Sequence, residues 1–199
     1  GERIPLDLAV ANAARIVAAV ELPVSIDFEA GYGETPREVA HSLGQLFGTG
    51  AVGCNLEDGI PTEQAALYSI GDAAKRVRAA RAAAEEARIP GFINARTDLF
   101  LQADPADHGA SLGRQALERA RAYADNGASG FFVPGLVDPG LIEMICGASP
   151  LPVNILTRAT APSNRRLAEL GVARVSYGPG PYRLAMRFLE EEARTAFEG

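Results

Sequence analysis

Residues 25–33 read SIDFEAGYG, placing Asp27 and Glu29 two positions apart, at the end of an apolar run and directly before a glycine-framed turn. If 22–28 (LPVSIDF) is a β-strand, the two carboxylates share one face. Like charges there repel, and burying one unpaired costs several kcal/mol. The same parity puts Asn55 with Glu57 at the end of the next apolar run, 51–56 (AVGCNL). It puts Asn94 with Arg96 at the end of 91–95 (GFINA). A strand facing solvent would alternate along its whole length, whereas here the polarity is confined to the ends.

Working outward, the chain alternates short apolar runs with Ala-, Leu- and charge-rich stretches. Strands are predicted near 22–28, 51–56, 91–95, 129–133, 152–156 and 173–177, and helices near 6–20, 35–48, 70–88, 109–126, 138–147, 163–170 and 180–197. Thr35 before Pro36 and Glu38 is an N-cap signal, and Asn126-Gly127 and Gly171 are C-terminal ones. Strands alternating with helices specify a parallel sheet, either doubly wound or a (β/α) barrel. A dinucleotide-binding sheet wants G-x-G-x-x-G after its first strand, and Gly31-Tyr32-Gly33 lacks the third glycine. A barrel predicts functional side chains at the C-terminal ends of several strands, the pattern seen here. A closed barrel needs eight strands in about 250 residues. Six are countable, so the expectation is one (β/α) barrel domain over 1–199 that lacks its first two strands, with an open six-strand sheet and the acids beside the gap.

The 199 residues are 47% hydrophobic and carry a net charge of −6. That balance argues against nucleic acid or an anionic membrane surface as partner. No apolar run reaches the roughly 18 residues of a spanning helix. The two cysteines, Cys54 and Cys146, read as structural thiols of a reduced, cytoplasmic protein.

Asp27, Glu29 and Glu57 form an all-oxygen set without His or Cys at ligand spacing, which favours Mg²⁺ or Mn²⁺ over zinc. Isolated acids are usually loop or helix-start charges, but three on neighbouring strand ends point to a site. Arg96 offers a fork for a carboxylate or phosphonate; a salt bridge to one of the acids is its alternative role. Asn94, Asn154 and Ser176 end strands on the same inner face and are candidate substrate-binding groups. Gly31 and Gly33 would let the chain turn sharply and bring Tyr32 and Gly33 to a ligand, though a plain turn explains them nearly as well. His41 and His108 have no catalytic neighbour, and KRVRAARAAAEEAR (75–88) reads as a solvated helix face.

VSIDFEAGYG, GAVGCNLEDG (50–59) and FINARTD (92–98), followed by ASGFFVPGL, LPVNIL and ARVSYGP, resemble the isocitrate lyase and phosphoenolpyruvate mutase superfamily across essentially the whole chain. The resemblance implies an (α/β)₈ barrel assembled as homo-dimers or tetramers that exchange a C-terminal helix. It implies Mg²⁺, a small 2-oxo acid or its enolate, and making or breaking of C–C or P–C bonds. It assigns Asp27, Glu29 and Glu57 to the metal, with Glu29 replacing an aspartate common in some branches, and Arg96 to the substrate's anionic group. Two departures stand out. The lyases' K-[KR]-C-G-H loop, which carries the catalytic acid or base, is GIPTEQAALYS (59–69) here, so isocitrate and methylisocitrate lyase activities are not expected. The lysine and asparagine that phosphonate enzymes place on that loop are absent too. The expectation is a Mg²⁺-dependent C–C lyase of a small 2-oxo acid acting through an enolate. A P–C bond mutase or hydrolase and a non-catalytic 2-oxo acid binding protein remain the alternatives.

Overall fold

The structure, a computed structural model, describes residues 4–62, 66–158 and 160–198. Six strands, β1 (Ser25–Asp27), β2 (Gly53–Glu57), β3 (Phe92–Arg96), β4 (Gly130–Phe132), β5 (Val153–Leu156) and β6 (Arg174–Ser176), form one all-parallel sheet in chain order. Between and around them run α1 (Leu6–Ala19), α2 (Pro36–Phe47), α3 (Ile70–Glu86), α4 (Leu99–Gln102), α5 (Ala110–Asp125), α6 (Pro139–Ala148), α7 (Asn164–Glu169) and α8 (Gly180–Glu198). Each strand and long helix expected from the alternation is present. The predicted caps hold as well: Thr35 and Glu38 form a reciprocal capping box at the start of α2, with Pro36 in its first turn.

Register sorts the side chains by parity. Asp27 pairs with Asn55 and Asn55 with Asn94; one step further along, Glu57 pairs with Arg96, Arg96 with Phe132 and Phe132 with Asn154. These residues share the concave face. The intervening Cys54, Leu56, Ile93, Ala95, Phe131, Val153 and Ile155 turn to the convex face, where the helices cover them and all are buried. The main core lies there, against small-residue faces such as Ala73, Val77, Ala80 and Ala84 of α3.

Six strands do not close. Among the described residues β1 pairs only with β2 and β6 only with β5, so the sheet is an open, curled half-barrel, not the complete eight-stranded barrel of the sequence resemblance. The curl still brings both edges to one cavity. Among the described residues no helix is long and apolar enough to cross a membrane. The amphipathic α8 has no buried residue and leaves Tyr182, Phe188 and Leu189 more than half exposed.

Candidate functional site

At the C-terminal end of the sheet lies a cavity of about 380 Å³, lined by Ser25 and Asp27 from β1, Ser176 from β6, and Arg96, Phe132 and Leu156 between them. Its charged group centres on Arg96. Arg96 Nε and Nη2 donate to the two carboxylate oxygens of Asp98 at 2.6 and 3.1 Å. Its third nitrogen, Nη1, stands 2.9 Å from Glu57 Oε2 and 3.8 Å from Asp27 Oδ2. Three of the sequence candidates from three strand ends therefore meet at one guanidinium, and both roles foreseen for Arg96 remain compatible with that geometry. Exposure falls inward from the sheet edge: the Asp27 side chain is 56% exposed and that of Glu57 only 12%.

Glu29 departs from the strand parity. β1 ends at Asp27, and Glu29 has φ 49°, a left-handed conformation that takes it out of the pleat. Its backbone carbonyl still accepts from Glu57 N–H at 2.8 Å, and its Oε2 is buried without a hydrogen-bond partner. Burial pushes the Glu57 carboxyl up to about 7 against the pull of Arg96, with the charges of Asp98, Asp27 and Glu29 adding to the rise. Three carboxylates, Asp27, Glu57 and Asp98, thus surround one arginine, and Glu29 adds its charge to Glu57. This oxygen-only set with excess negative charge and one orphaned oxygen fits a hard divalent cation. Among the described residues no three metal-ligating side chains stand close enough to bind an ion together. Such a set could therefore hold a hydrated divalent cation through one or two carboxylates, with the remaining acids reaching it through water.

The amides form a floor beneath this group. Asn94 Nδ2 donates to Asn55 Oδ1 at 2.8 Å and to Asn154 Oδ1 at 3.0 Å, and Ser176 Oγ donates to Asn154 Oδ1 at 3.1 Å. Asn94 and Asn154 are almost fully buried. Asn94 reaches across β4 because Gly130 has no side chain: a Cβ there would stand 2.8 Å from Asn94 Oδ1. Tyr32 and Gly33 go elsewhere. They border a separate groove with Ser42 and Tyr68, and a Cβ on Gly33 would meet the backbone nitrogen of Val39 in α2 at 2.7 Å. Close packing of the turn on α2, the plain-turn explanation, accounts for that glycine.

Sequence reasoning missed the support behind the site. Asp58, Asp98, Arg119 and Arg76 were not singled out, and the run 75–88 is not simply a solvated face. Arg76 is 3% exposed and donates to the carbonyls of Ala30, Gly33 and Glu34 at 2.6, 2.8 and 3.1 Å. It thereby satisfies the carbonyls of the turn that carries Glu29. Its spacing from Val77, Ala80 and Ala84 on the buried side of α3 was the available signal. The middle of the substituted loop, residues 63–65, lies outside the described residues; its flanks are joined by a bridge between Gly59 and Leu67.

Comparisons with known proteins agree with this fold. A Burkholderia cenocepacia J2315 protein of known structure, carrying the provisional name phosphonomutase, superposes with a TM-score of 0.96 at 47% identity, over 98% of this chain and 78% of that one. An oxaloacetate decarboxylase of Pseudomonas fluorescens is 29% identical over 199 residues, 96% of this chain and 64% of the enzyme. A phosphonopyruvate hydrolase solved with oxalate and Mg²⁺ shares the fold, with a TM-score of 0.82 at 22% identity over 100% of this chain and 69% of that one. The chain spans 66% of an uncharacterised Mycobacterium tuberculosis relative that is 33% identical to it. The similar proteins thus include a decarboxylase by sequence and a phosphonate hydrolase by fold alone. With the phosphoenolpyruvate phosphomutase family profile matching residues 1–197, the chain belongs to that family, within the phosphoenolpyruvate mutase and isocitrate lyase superfamily.

Proposed function

We propose that the protein is a Mg²⁺-dependent carbon–carbon lyase acting on a small 2-oxo acid. The observation that carries this reading is the convergence of Asp27, Glu57 and Arg96, from three successive strand ends, within 3.8 Å of one guanidinium nitrogen or on it. Asp27 and Glu57 would hold the cation, with Glu29 anchoring its water. When bound, Mg²⁺ supplies Lewis-acid stabilisation of the charge that develops on the 2-oxo oxygen as the bond breaks. Arg96, braced by Asp98, keeps the Nη1 edge of its fork toward the cavity and orients the substrate's carboxylate. Phe132 and Leu156 exclude water from the far wall. Among the described residues no histidine, cysteine or lysine lines the cavity. In oxaloacetate cleavage, carbon dioxide leaves and the proton that replaces it on the pyruvate product comes from water.

The similarity to the protein provisionally named a phosphonomutase supports a second reading, P–C bond chemistry on the same residues. Against it stands the loop 59–69, which has neither the lysine nor the asparagine of phosphonate enzymes. Incubation with oxaloacetate, phosphonopyruvate and methylisocitrate, each with Mg²⁺, separates the readings. Pyruvate released from oxaloacetate alone is the expected result; turnover of phosphonopyruvate alone would replace it with the second reading. Binding without turnover of any would make the protein a 2-oxo acid binder. The exposed apolar residues of α8 further support a homo-oligomer in which this helix packs on another copy, and sedimentation across a dilution series tests it.

A further inference from the structure

Directly behind the charged group lies a second, fully internal one that the reaction does not use. Asp58 follows Glu57 at the end of β2 with its side chain turned the opposite way, and it is 2% exposed. Its Oδ1 accepts from the backbone N–H of Asp98 at 2.8 Å. Its Oδ2 accepts from Tyr123 Oη at 2.7 Å and from Arg119 Nη1 at 3.0 Å. Arg119 also donates twice to the carbonyl of Tyr68, at 3.2 Å each, where the chain returns from the loop after β2. Asp58 and Arg96 are joined again through the backbone, Asp58 N–H donating to Arg96 O at 3.1 Å.

A buried ion pair of this kind is a weak source of stability, because desolvating both charges offsets most of their attraction; apolar residues of the same shape would serve as well or better. What an apolar cluster could not do is hold the Asp98 amide. That amide fixes the residue whose two oxygens grip Arg96, so the contacts form a continuous series from α5 to the cavity: Arg119 and Tyr123 to Asp58, Asp58 to Asp98, Asp98 to Arg96. We infer that Asp58, clamped by Arg119 and Tyr123, is a positioning residue that aims Arg96 into the cavity by holding Asp98. The inference rests on the reading of that cavity as the anion-binding site. An arginine held through two bonds at one end has little freedom left, and a displacement of about 1 Å at its Nη1 edge, where Glu57 also stands, is enough to weaken anion binding severely.

A double-mutant cycle on Mg²⁺-dependent oxalate affinity tests it. Asp58→Asn should weaken oxalate binding by roughly tenfold when Arg96 is present and by less than about twofold in an Arg96→Lys background, because its effect passes through the fork. An equal loss in both backgrounds, as a merely structural role would give, overturns the inference. Tyr123→Phe, which removes one bond to Asp58 at nearly constant volume, carries the same cycle if Asp58→Asn does not fold. A second readout does not depend on ligand. The Arg96 Nε–H nuclear magnetic resonance signal, identified by its loss in Arg96→Lys, should exchange faster with solvent in Tyr123→Phe. Should the parent bind no oxalate, the functional reading fails and this signal alone decides: unchanged exchange overturns the positioning role.

Discussion

The two faces of the one sheet differ in kind. On the convex face, Cys54, Leu56, Ile93, Ala95, Phe131, Val153 and Ile155 form an unbroken apolar layer under the helices. On the concave face, Asp27, Asn55, Glu57, Asn94, Arg96, Asn154 and Ser176 form a largely polar one, interrupted by Phe132 and Leu156. A parallel sheet buried on both sides reads as a continuous apolar run, so polar residues gathered at the strand ends of the inner face show that this layer is maintained for something other than cohesion. Folding energy and chemistry are thus divided by residue parity along the same six strands. Adjacent residues such as Leu56 and Glu57 answer to different demands.

That division is breakable. The largest effect belongs to the convex face: Phe131→Ala should cost about 3–5 kcal/mol in a urea titration, with the transfer and cavity contributions both present at a fully buried site. A loss below about 1 kcal/mol would show that the helices do not depend on that layer. On the concave face, Arg96→Lys keeps the charge but loses the fork, so 2-oxo acid binding should weaken by about tenfold, on the order of 1.4 kcal/mol. Unchanged binding would make Arg96 structural.

The third test uses pH. Glu57 titrates near 7 in the folded protein against an ordinary value of 4.5, so the native state binds its proton more tightly than the unfolded chain. Its contribution is favourable at low pH, falls as pH rises through that window, and is fully lost above about 7. Without metal, melting temperature should therefore decline from pH 5 to pH 8 more in the parent than in Glu57→Gln. Added Mg²⁺, which needs the ionised carboxylate, should stabilise mainly at the upper end of the range. Identical slopes in parent and variant would remove Glu57 from the account. The smallest stability change is expected for Asp27→Ala: within about 0.5 kcal/mol, since the side chain is more than half exposed at a sheet edge. The same variant should lose the Mg²⁺-induced thermal shift. A shift that survives would mean that other residues hold the ion.

The fold was legible because its strands and helices differ so plainly in period, and because polarity at Asp27, Asn55, Glu57, Asn94 and Arg96 interrupts apolar runs only at their ends. Glu29 was misplaced by that same parity rule, which holds only while the chain stays extended; its own left-handed backbone, two positions past Asp27, breaks it. Asn94 and Asn154 were recognisable as inward-facing, but single residues do not disclose that amides 60 positions apart are bonded to each other. The support around Asp58 was hidden for the same reason. Arg119 lies 61 positions away on a helix rich in other charges, and its only local mark is Tyr123 four residues on. Arg76 was obscured by neighbouring cations that do face solvent, such as Lys75, paired with Asp72.

Cys54 gives the convex layer a built-in clock. Its thiol sits near the start of β2, on a residue paired with Ile26 and Ile93, fully enclosed, and burial pushes its pKa up to about 12. Only the thiolate attacks disulfide reagents, so Cys54 reacts when the sheet parts from its helices and not before. Cys146 is half-buried, titrates near 11, and would react first. In a Cys146→Ser background, the labelling rate of Cys54 therefore measures the frequency with which the sheet–helix layer opens under native conditions. A cation bound on the opposite face should slow that labelling without touching the sulfur, reporting occupancy of one side of the sheet from the other.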